Sequence, residues 1–218
     1  MTDFAAARAN MVESQIRPNK VTDPALILAL ATLPREQFVP IERRPLAYVD
    51  EDLALGDGRY LMEPMVLARL IQIAAPQPED IAMVLACGTG YAVSILAQLC
   101  ETVIGIESNP DLVERSSSTL VNLGIDNAMI FQGAPQNGYP KQAPYNVTLF
   151  DGGISAIPDT IMSQCADGGR IVGVVKSSGP MGRATLATSF GGVISAREIF
   201  DAQIPMLPEL VREEAFSF

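Results

Sequence analysis

The stretch VLACGTGYAVSILAQL, residues Val84 to Leu99, joins a short apolar run to a helix-like segment through a glycine-rich turn. A second apolar run, VIGIES, follows at residues 103–108. Glycine has no Cβ, so Gly88 and Gly90 allow the backbone to approach a ligand closely at this turn. An apolar strand, a glycine turn and a helix in this order are typical of a doubly wound sheet. We therefore predict a Rossmann-like α/β fold built around this turn.

Short apolar runs alternate with helical stretches on both sides of this unit. The runs IAMVLA, TVIGIE, AMIFQG, NVTLFDGG and RIVGVV are bounded by turn formers, which is typical of strands buried on both faces. The segments YAVSILAQLC, PDLVERSSSTLVNLG and AIPDTIMSQCADGG are long enough for connecting helices, and the last two end at glycine. ATLATSF and GGVISAREIFDAQIP predict an antiparallel edge hairpin joined through Gly191 and Gly192. The pattern predicts a mostly parallel sheet of seven strands.

The first third of the chain predicts helices. FAAARANMVESQI has an amphipathic spacing, and TDPALILALATL begins with an N-cap-like Thr22 or Asp23 before Pro24. EDLALGDGRYLMEP predicts a loop or short strands before the helical segment MVLARLIQIA. We expect one domain over residues 1–218, with a helical annex and substrate loop at 1–75 and the α/β core at 76–218.

Composition limits the classes of partner. Fifteen Lys and Arg residues against 25 Asp and Glu give a formal net charge of -10, which repels nucleic-acid backbones and favours a small-molecule or protein substrate. No apolar stretch reaches the length of a membrane span, and MTDFAAARANMVESQIRP lacks the pattern of a secretory leader. We expect a cytoplasmic protein that binds neither nucleic acid nor a membrane. The sequence does not indicate an oligomeric state.

The chain contains no histidine, which excludes Ser-His-Asp and Cys-His nucleophile systems and two-histidine metal sites. Cys87, Cys100 and Cys165 lack metal-ligand spacing and predict free thiols. The acidic run that begins at Asp50 predicts a solvated loop, so we expect no metal site. Methylation of a carboxylate is compatible with this composition, because that nucleophile is already ionised at pH 7.

An acidic residue stands where a nucleoside would need it. Glu107 ends the second apolar strand, and a carboxylate at that place can accept hydrogen bonds from both ribose hydroxyls. A tight structural turn with a solvated Glu107 is the alternative interpretation. Asp151 ends the fourth strand and faces the same crevice, either as an acceptor near the reacting groups or as a turn residue before Gly152.

The chain resembles the protein-L-isoaspartate O-methyltransferases, within the seven-strand S-adenosylmethionine-dependent methyltransferases. The phrases that carry the resemblance lie between residues 8 and 175: MVESQIRP, VTDPALILALATLPREQFVP, LAYVDEDLALGDGRYLMEP, GTGY and YNVTLFDGGISAIPDTIMSQCADGGRIVGVV. The resemblance implies transfer of a methyl group from S-adenosylmethionine to a protein or peptide carboxylate, with S-adenosylhomocysteine as product. It implies a cofactor site at Ala86, Cys87, Gly88, Thr89, Gly90, Tyr91, Glu107, Ser108, Gly133, Ala134 and Asp151.

The expected substrate loop, residues 56–64, departs from the family pattern. After Gly58 the family carries Gln-Thr-Ile-Ser-Gln-Pro, whose hydroxyl groups help to hold the substrate carboxylate, whereas this chain continues RYLMEP. Met62 cannot donate a hydrogen bond. Arg59 can pair with a carboxylate and Tyr60 can donate its hydroxyl, so we predict that these two and Asp151 are catalytic. A surface arginine and a packed tyrosine are the alternatives.

The cofactor turn also departs from the family pattern. Related enzymes begin it with Asp or Glu, a spacer and glycine, where this chain has Val84, Leu85 and Ala86, and Ala134 replaces a common aspartate near the adenine. Each lost hydrogen bond costs about 0.5 to 1.5 kcal/mol of binding free energy when neutral. Two alternatives to isoaspartyl repair therefore stay open, namely a methyltransferase with another acceptor and a non-catalytic relative.

Overall fold

A seven-stranded sheet lies at the centre of the protein, in a computed structural model that describes residues 3–177 and 181–211. A separate antiparallel hairpin precedes it along the chain, with β1 at Leu53–Gly56 and β2 at Arg59–Leu61. The strands of the sheet are β3 (Ile81–Leu85), β4 (Thr102–Glu107), β5 (Ala128–Gln132), β6 (Tyr145–Ile154), β7 (Cys165–Val175), β8 (Gly182–Phe190) and β9 (Val193–Ala202).

The strand order is β5-β4-β3-β6-β7-β8-β9. The first five strands in that order are parallel, and β8 and β9 add to β7 as an antiparallel edge. Gly191 and Gly192 join β8 to β9 with φ of 58° and 78°, a backbone region that glycine adopts without steric cost. The predicted fold class and the predicted edge hairpin are therefore confirmed.

Six α-helices lie among the described residues: α1 (Phe4–Met11), α2 (Pro24–Thr32), α3 (Pro64–Ala74), α4 (Tyr91–Ala97), α5 (Pro110–Asn122) and α6 (Asp159–Met162). The predicted start of α2 is confirmed, because the Asp23 carboxylate accepts a hydrogen bond from the Leu26 amide at 2.8 Å. α1 continues through a π-helical turn at Val12–Ile16. Within the part of the chain described, no helix has the length and apolar character that crossing a membrane requires.

The helix predicted from AIPDTIMSQCADGG is wrong for most of its length. Only Asp159–Met162 is helical, and β7 already begins at Cys165. Strand pairing explains the difference, because Cys165 pairs with Tyr145 and Arg170 pairs with Val147 on β6. Gly168, with φ of 74°, lies within a register shift of this pairing instead of ending a helix.

The chain returns to the centre of the sheet after β9. This C-terminal segment, residues 203–211, lies along the end of β6. The Gly153 amide donates to the Pro205 carbonyl at 2.9 Å, and the Leu207 amide donates to the Gly153 carbonyl at 2.7 Å. Leu207 and Leu210 are buried in the same apolar cluster as Phe150. The segment is therefore a packed part of the fold at the crevice where ligands of parallel sheets bind.

Candidate active site

The structure brings most of the predicted cofactor residues to one edge of the sheet. They follow or end β3, β4, β5 and β6, which are neighbours in the sheet and point the same way. Two hydrogen bonds join the strands there, from the Gly88 amide to the Glu107 carboxylate and from the Gly133 amide to the Glu107 carbonyl, both at 2.9 Å. The predicted crevice is thus formed by the carboxyl ends of four strands.

The glycine turn after β3 has the tight backbone that the sequence predicted. Gly88 and Gly90 have φ of 54° and 88°, and the Gly90 amide donates to the Cys87 carbonyl at 2.8 Å. Ala86 also has a positive φ, 56°, where an L side chain costs about 1 kcal/mol. The family carries glycine at this position, so this chain has replaced that glycine with alanine at a position of positive φ.

Three residues of the turn are directed into the protein. Thr89 donates its hydroxyl to the Phe38 carbonyl at 2.6 Å, and the Tyr91 ring packs edge-on against Phe38 at 5.1 Å between centroids. Burial raises the pKa of the Cys87 thiol well above its usual range. The contacts of Thr89 and Tyr91 attach the glycine turn to the 3-10 turn at Arg35–Phe38, which follows α2. The predicted cofactor contacts of Thr89, Tyr91 and Cys87 stay predictions.

Glu107 is fully buried at the end of β4, with 0% of its surface exposed. Its carboxylate accepts hydrogen bonds from the amides of Gly88 and Asn109 at 2.9 and 3.0 Å, and from the Arg59 Nε at 3.0 Å. The alternative of a solvated Glu107 is therefore wrong. A buried carboxylate facing the bare backbone of a glycine turn is the strongest chemical feature of the crevice.

Arg59 occupies the space in front of Glu107. Its Nη1 and Nη2 donate to the two carboxylate oxygens of Glu209 at 3.0 and 2.6 Å, and Nη2 also donates to the Ser108 hydroxyl at 3.0 Å. Burial opposes the charge of Arg59, but these carboxylates outweigh it and raise its pKa. Arg59 is 2% exposed, so the alternative of a surface arginine is wrong.

Glu209 completes this ion-pair network from the far end of the chain. Burial alone would raise the pKa of its carboxyl, but the hydrogen bonds from Arg59 and Ser108 lower that pKa to about 2. Every nitrogen of the Arg59 guanidinium therefore has a partner in this conformation. The catalytic role of Arg59 stays a prediction that requires the network to open. Sequence reasoning missed Glu209, and no local motif marks it.

Two segments cover the crevice: a closing hairpin, residues 53–61, and the C-terminal segment. A Cβ placed on Gly88 would lie 3.2 Å from Leu55 of the hairpin, and one placed on Gly152 would lie 2.6 Å from Leu207. The two segments also touch each other, since a Cβ on Gly58 would lie 2.7 Å from Pro208. Tyr60 lies on the outer side of the hairpin and is partly exposed. Its catalytic role stays a prediction.

Asp151 lies inside β6, so its interpretation as a turn residue is wrong. It is buried, and its Oδ1 has no hydrogen-bond partner among the described residues. Burial raises the pKa of this carboxyl to about 8, the nearby charge of Glu107 acts in the same direction, and Arg35 and Arg59 oppose it. The side chain is therefore largely protonated at neutral pH, and its catalytic role stays a prediction.

Arg35 is a second buried arginine that the sequence did not mark as functional. It lies in a 3-10 turn at Arg35–Phe38 and is 0% exposed. Its Nε donates to the Ala47 carbonyl at 2.6 Å, and its Nη2 donates to the Met62 carbonyl at 2.7 Å. In the sequence, only its position in the proline-bounded run PREQFVP could have marked Arg35 as part of the site. Arg35 thus connects the N-terminal helices to the substrate loop.

The remaining predicted groups have simple environments. Ala134 precedes a 3-10 turn at Pro135–Asn137, and its contact with an adenine ring stays a prediction. Cys87, Cys100 and Cys165 are free, as predicted. Across residues 3–177 and 181–211, no group of three or more His, Cys, Asp and Glu side chains is placed to hold a metal ion.

A family model for protein-L-isoaspartate(D-aspartate) O-methyltransferase matches residues 6–185. Protein-L-isoaspartate O-methyltransferase 1 of Rhodopseudomonas palustris (strain HaA2) is 35% identical over 171 residues, which is 78% of this chain and 70% of the relative. Protein-L-isoaspartate O-methyltransferase 2 of Anaeromyxobacter sp. (strain Fw109-5) is 36% identical over 179 residues, which is 82% of this chain and 72% of the relative.

Solved structures agree in fold. A protein-L-isoaspartate O-methyltransferase superposes with a TM-score of 0.81 at 20% identity, covering 94% of this chain and 67% of that structure. A second structure, from Plasmodium falciparum, is described as a protein-L-isoaspartate O-methyltransferase in complex with S-adenosyl-L-homocysteine. It superposes with a TM-score of 0.76 at 17% identity, covering 96% of this chain and 100% of that structure. The resemblance inferred from the sequence motifs is confirmed, and the chain belongs to the protein-L-isoaspartate(D-aspartate) O-methyltransferase family.

Proposed function

We propose that this chain transfers the methyl group of S-adenosylmethionine to a carboxylate of a protein or peptide in the cytoplasm, with isoaspartyl residues as the acceptor class. The observation that carries the proposal is the buried Glu107 carboxylate, 2.9 Å from the bare amide of Gly88. The named activity of the relatives and the S-adenosylhomocysteine in the Plasmodium structure support it. Three free cysteines agree with a reducing compartment.

The residues present fit an adenosyl group once the covering segments move. Glu107 offers its two carboxylate oxygens to the ribose hydroxyls, and the backbone from Ala86 to Tyr91 provides a cradle that glycine keeps open at positions 88 and 90. Gly133 and Ala134 follow β5, and the Gly133 amide donates to the backbone carbonyl of Glu107 at 2.9 Å, so an adenine would extend along this end of β5. When bound, the cofactor supplies an electrophilic methyl group.

The acceptor carboxylate needs position more than activation. It is ionised at pH 7, so one of its oxygens forms a bond to the methyl carbon without a prior proton transfer. The bond from sulfur to that carbon breaks, its electron pair stays on sulfur, and a neutral methyl ester results. Positioning and exclusion of water are then the main contributions of the protein, which agrees with a site that lacks histidine.

Arg59 must leave Glu107 before a ribose can take its place. In the conformation described here, which we call the closed form, the Arg59 guanidinium forms ion pairs with both Glu107 and Glu209. A ligand can therefore enter only when the closing hairpin and the C-terminal segment separate. The closed form also favours a second candidate function. A non-catalytic relative would keep this network permanently, because Arg59 and Glu107 satisfy each other without a ligand.

Calorimetric titration with S-adenosylhomocysteine distinguishes these two functions. We expect wild-type binding, and we expect Glu107→Gln to raise the Kd about a hundredfold, because hydrogen bonds to a charged group contribute up to about 3 kcal/mol each. Glu107→Gln is preferred to Glu107→Ala because Gln keeps one acceptor for Arg59 in the folded protein. Glu114→Gln, an exposed position on α5, is the charge-matched control. Wild-type protein that binds no ligand at millimolar concentration would establish the non-catalytic relative.

Loosening the C-terminal segment should strengthen ligand binding. Glu209→Gln removes the charge that pairs with Arg59, while Arg59 keeps Glu107. An ion pair that is partly exposed contributes about 1 kcal/mol. We therefore expect the Kd for S-adenosylhomocysteine to fall about fivefold, measured by the same titration. Glu198→Gln, which removes an exposed ion pair with Arg183 on the distant edge hairpin, should leave the Kd unchanged. An equal or weaker affinity in Glu209→Gln would contradict competition between ligand and segment.

A further inference from the structure

Three buried polar side chains meet beside the substrate loop and leave atoms without partners. Arg35 comes from the 3-10 turn after α2, Tyr91 begins α4, and Asp151 lies near the end of β6. Arg35 Nη1, the Tyr91 hydroxyl and Asp151 Oδ1 are closed to solvent, and none makes a hydrogen bond of good geometry within residues 3–177 and 181–211. Arg35 and Tyr91 lie close enough to each other for a weak hydrogen-bond interaction, which leaves both groups incompletely satisfied. Buried polar atoms in native proteins are nearly always paired, so three exceptions in one place indicate a missing partner.

The Arg35 guanidinium is fixed in direction. The carbonyls of Ala47 and Met62 hold its Nε and Nη2, and the Tyr91 ring lies 4.8 Å from its central carbon. Nη1 is the one nitrogen of this guanidinium that makes no hydrogen bond of good geometry with the described residues, and the Tyr91 side chain is its neighbour. A guanidinium held on two sides presents its remaining donor in a defined direction, which suits recognition of a carboxylate.

Arg35 also lacks a counter-ion. No carboxylate among the described residues forms an ion pair with it, although arginine stays protonated even where burial lowers its pKa. The carboxyls of Asp151 and Asp52 lie within electrostatic reach of Arg35, but neither forms an ion pair with it. The carboxyl of Asp151 is largely neutral at pH 7, because burial raises its pKa to about 8. A buried cation without an anion is costly, so an anionic group from outside would complete the cluster.

The cluster lies between the cofactor residues and the substrate loop. Asp151 is within electrostatic reach of Arg35 on one side and of Glu107 and Arg59 on the other. Met62, whose carbonyl Arg35 holds, stands in the loop where relatives carry hydroxyl groups for the substrate, and its own side chain cannot donate a hydrogen bond. The cluster is therefore placed where an acceptor carboxylate would meet the reacting end of a cofactor bound at Glu107.

We propose that Arg35 binds the carboxylate of the methyl acceptor through Nη1, with the Tyr91 hydroxyl as a second donor. This inference rests on the proposed function and deepens it, because it assigns the anion-binding group that the altered substrate loop has lost. Methylation turns the acceptor into a neutral ester, which loses the charge attraction to Arg35, so the same contact favours release of the product. Because the cluster is closed to solvent, the acceptor enters only after the closing hairpin opens.

Peptide binding tests the assignment independently of turnover. An isoaspartyl peptide and the same peptide with a carboxamide in place of the free α-carboxylate of the isoaspartyl residue are titrated at pH 7 against the full chain, with and without S-adenosylhomocysteine. We expect wild-type protein to bind the carboxylate peptide at least tenfold more tightly than the carboxamide. Arg35→Met should remove this preference and Arg35→Lys should restore part of it, while the Kd for S-adenosylhomocysteine stays within twofold.

A second variant keeps the test valid where Arg35→Met fails to fold. Tyr91→Phe removes one hydroxyl and leaves the ring against Arg35, so we expect about a threefold loss of carboxylate preference in a folded protein. Equal binding of both peptides by wild-type protein, or a preference that persists in Arg35→Met, overturns the assignment. Failure of the proposed function gives a different result, because wild-type protein would then not bind S-adenosylhomocysteine.

Discussion

Replacing Arg59 with Met is expected to lower the free energy of unfolding by about 3 to 5 kcal/mol at pH 7. Glu107 has no exposed surface, and among the described residues only Arg59 forms an ion pair with it. Methionine fills much of the same volume but leaves a buried carboxylate without a counter-ion, with two backbone amides and the Ser108 hydroxyl as its remaining donors. Urea unfolding followed by circular dichroism measures the change.

Two further variants identify the cause of that loss. Arg183→Met removes an arginine whose ion pairs with Asp201 and Glu198 are exposed, so we expect a change within about 1 kcal/mol. The double variant Arg59→Met with Glu107→Gln removes the stranded charge and should recover part of the stability. If Arg59→Met costs no more than Arg183→Met, the buried ion pair is not what holds the closing hairpin.

The sheet could be predicted because its signal is local. Strands buried on both faces must be apolar along their whole length, and IAMVLA and TVIGIE satisfy this within a few residues. The hairpin of β8 and β9 depends on two adjacent glycines that adopt positive φ, which is also visible in the sequence. The segment AIPDTIMSQCADGG was wrongly predicted because its length and its final glycines suit a connecting helix, whereas pairing of residues 165–175 with β6 decides its structure.

The candidate site was predictable only in part. Glu107 and the glycine turn follow from the order of strand, turn and helix, which fixes where they meet. The ion-pair network of Glu107 could not be predicted from that order, because Arg59 comes from the closing hairpin and Glu209, which pairs with Arg59, lies 150 residues further along the chain. A charged residue in a loop is most often solvated, and only tertiary packing reveals that Arg59 is buried.

Asp151→Asn should change the pH dependence of stability. Burial raises the pKa of Asp151 to about 8, whereas an aspartate in an unfolded chain has a pKa near 3.9. Between these two values the folded protein binds a proton that the unfolded chain has released, so this group makes stability fall as pH rises from about 4 to about 8. Above pH 8 the loss is complete, and the folded protein carries a buried charge next to Glu107 and Asp52.

Asparagine cannot ionise, so the variant escapes this loss. We expect Asp151→Asn to be more stable than wild-type protein by about 2 to 4 kcal/mol at pH 9, and close to it at pH 5, by urea unfolding at both values. Asp126→Asn, an exposed position before β5, should leave the difference between the two pH values unchanged. A stability difference between wild type and Asp151→Asn that is the same at pH 5 and pH 9 would mean that Asp151 is ionised throughout, and that Arg35 already has its anion.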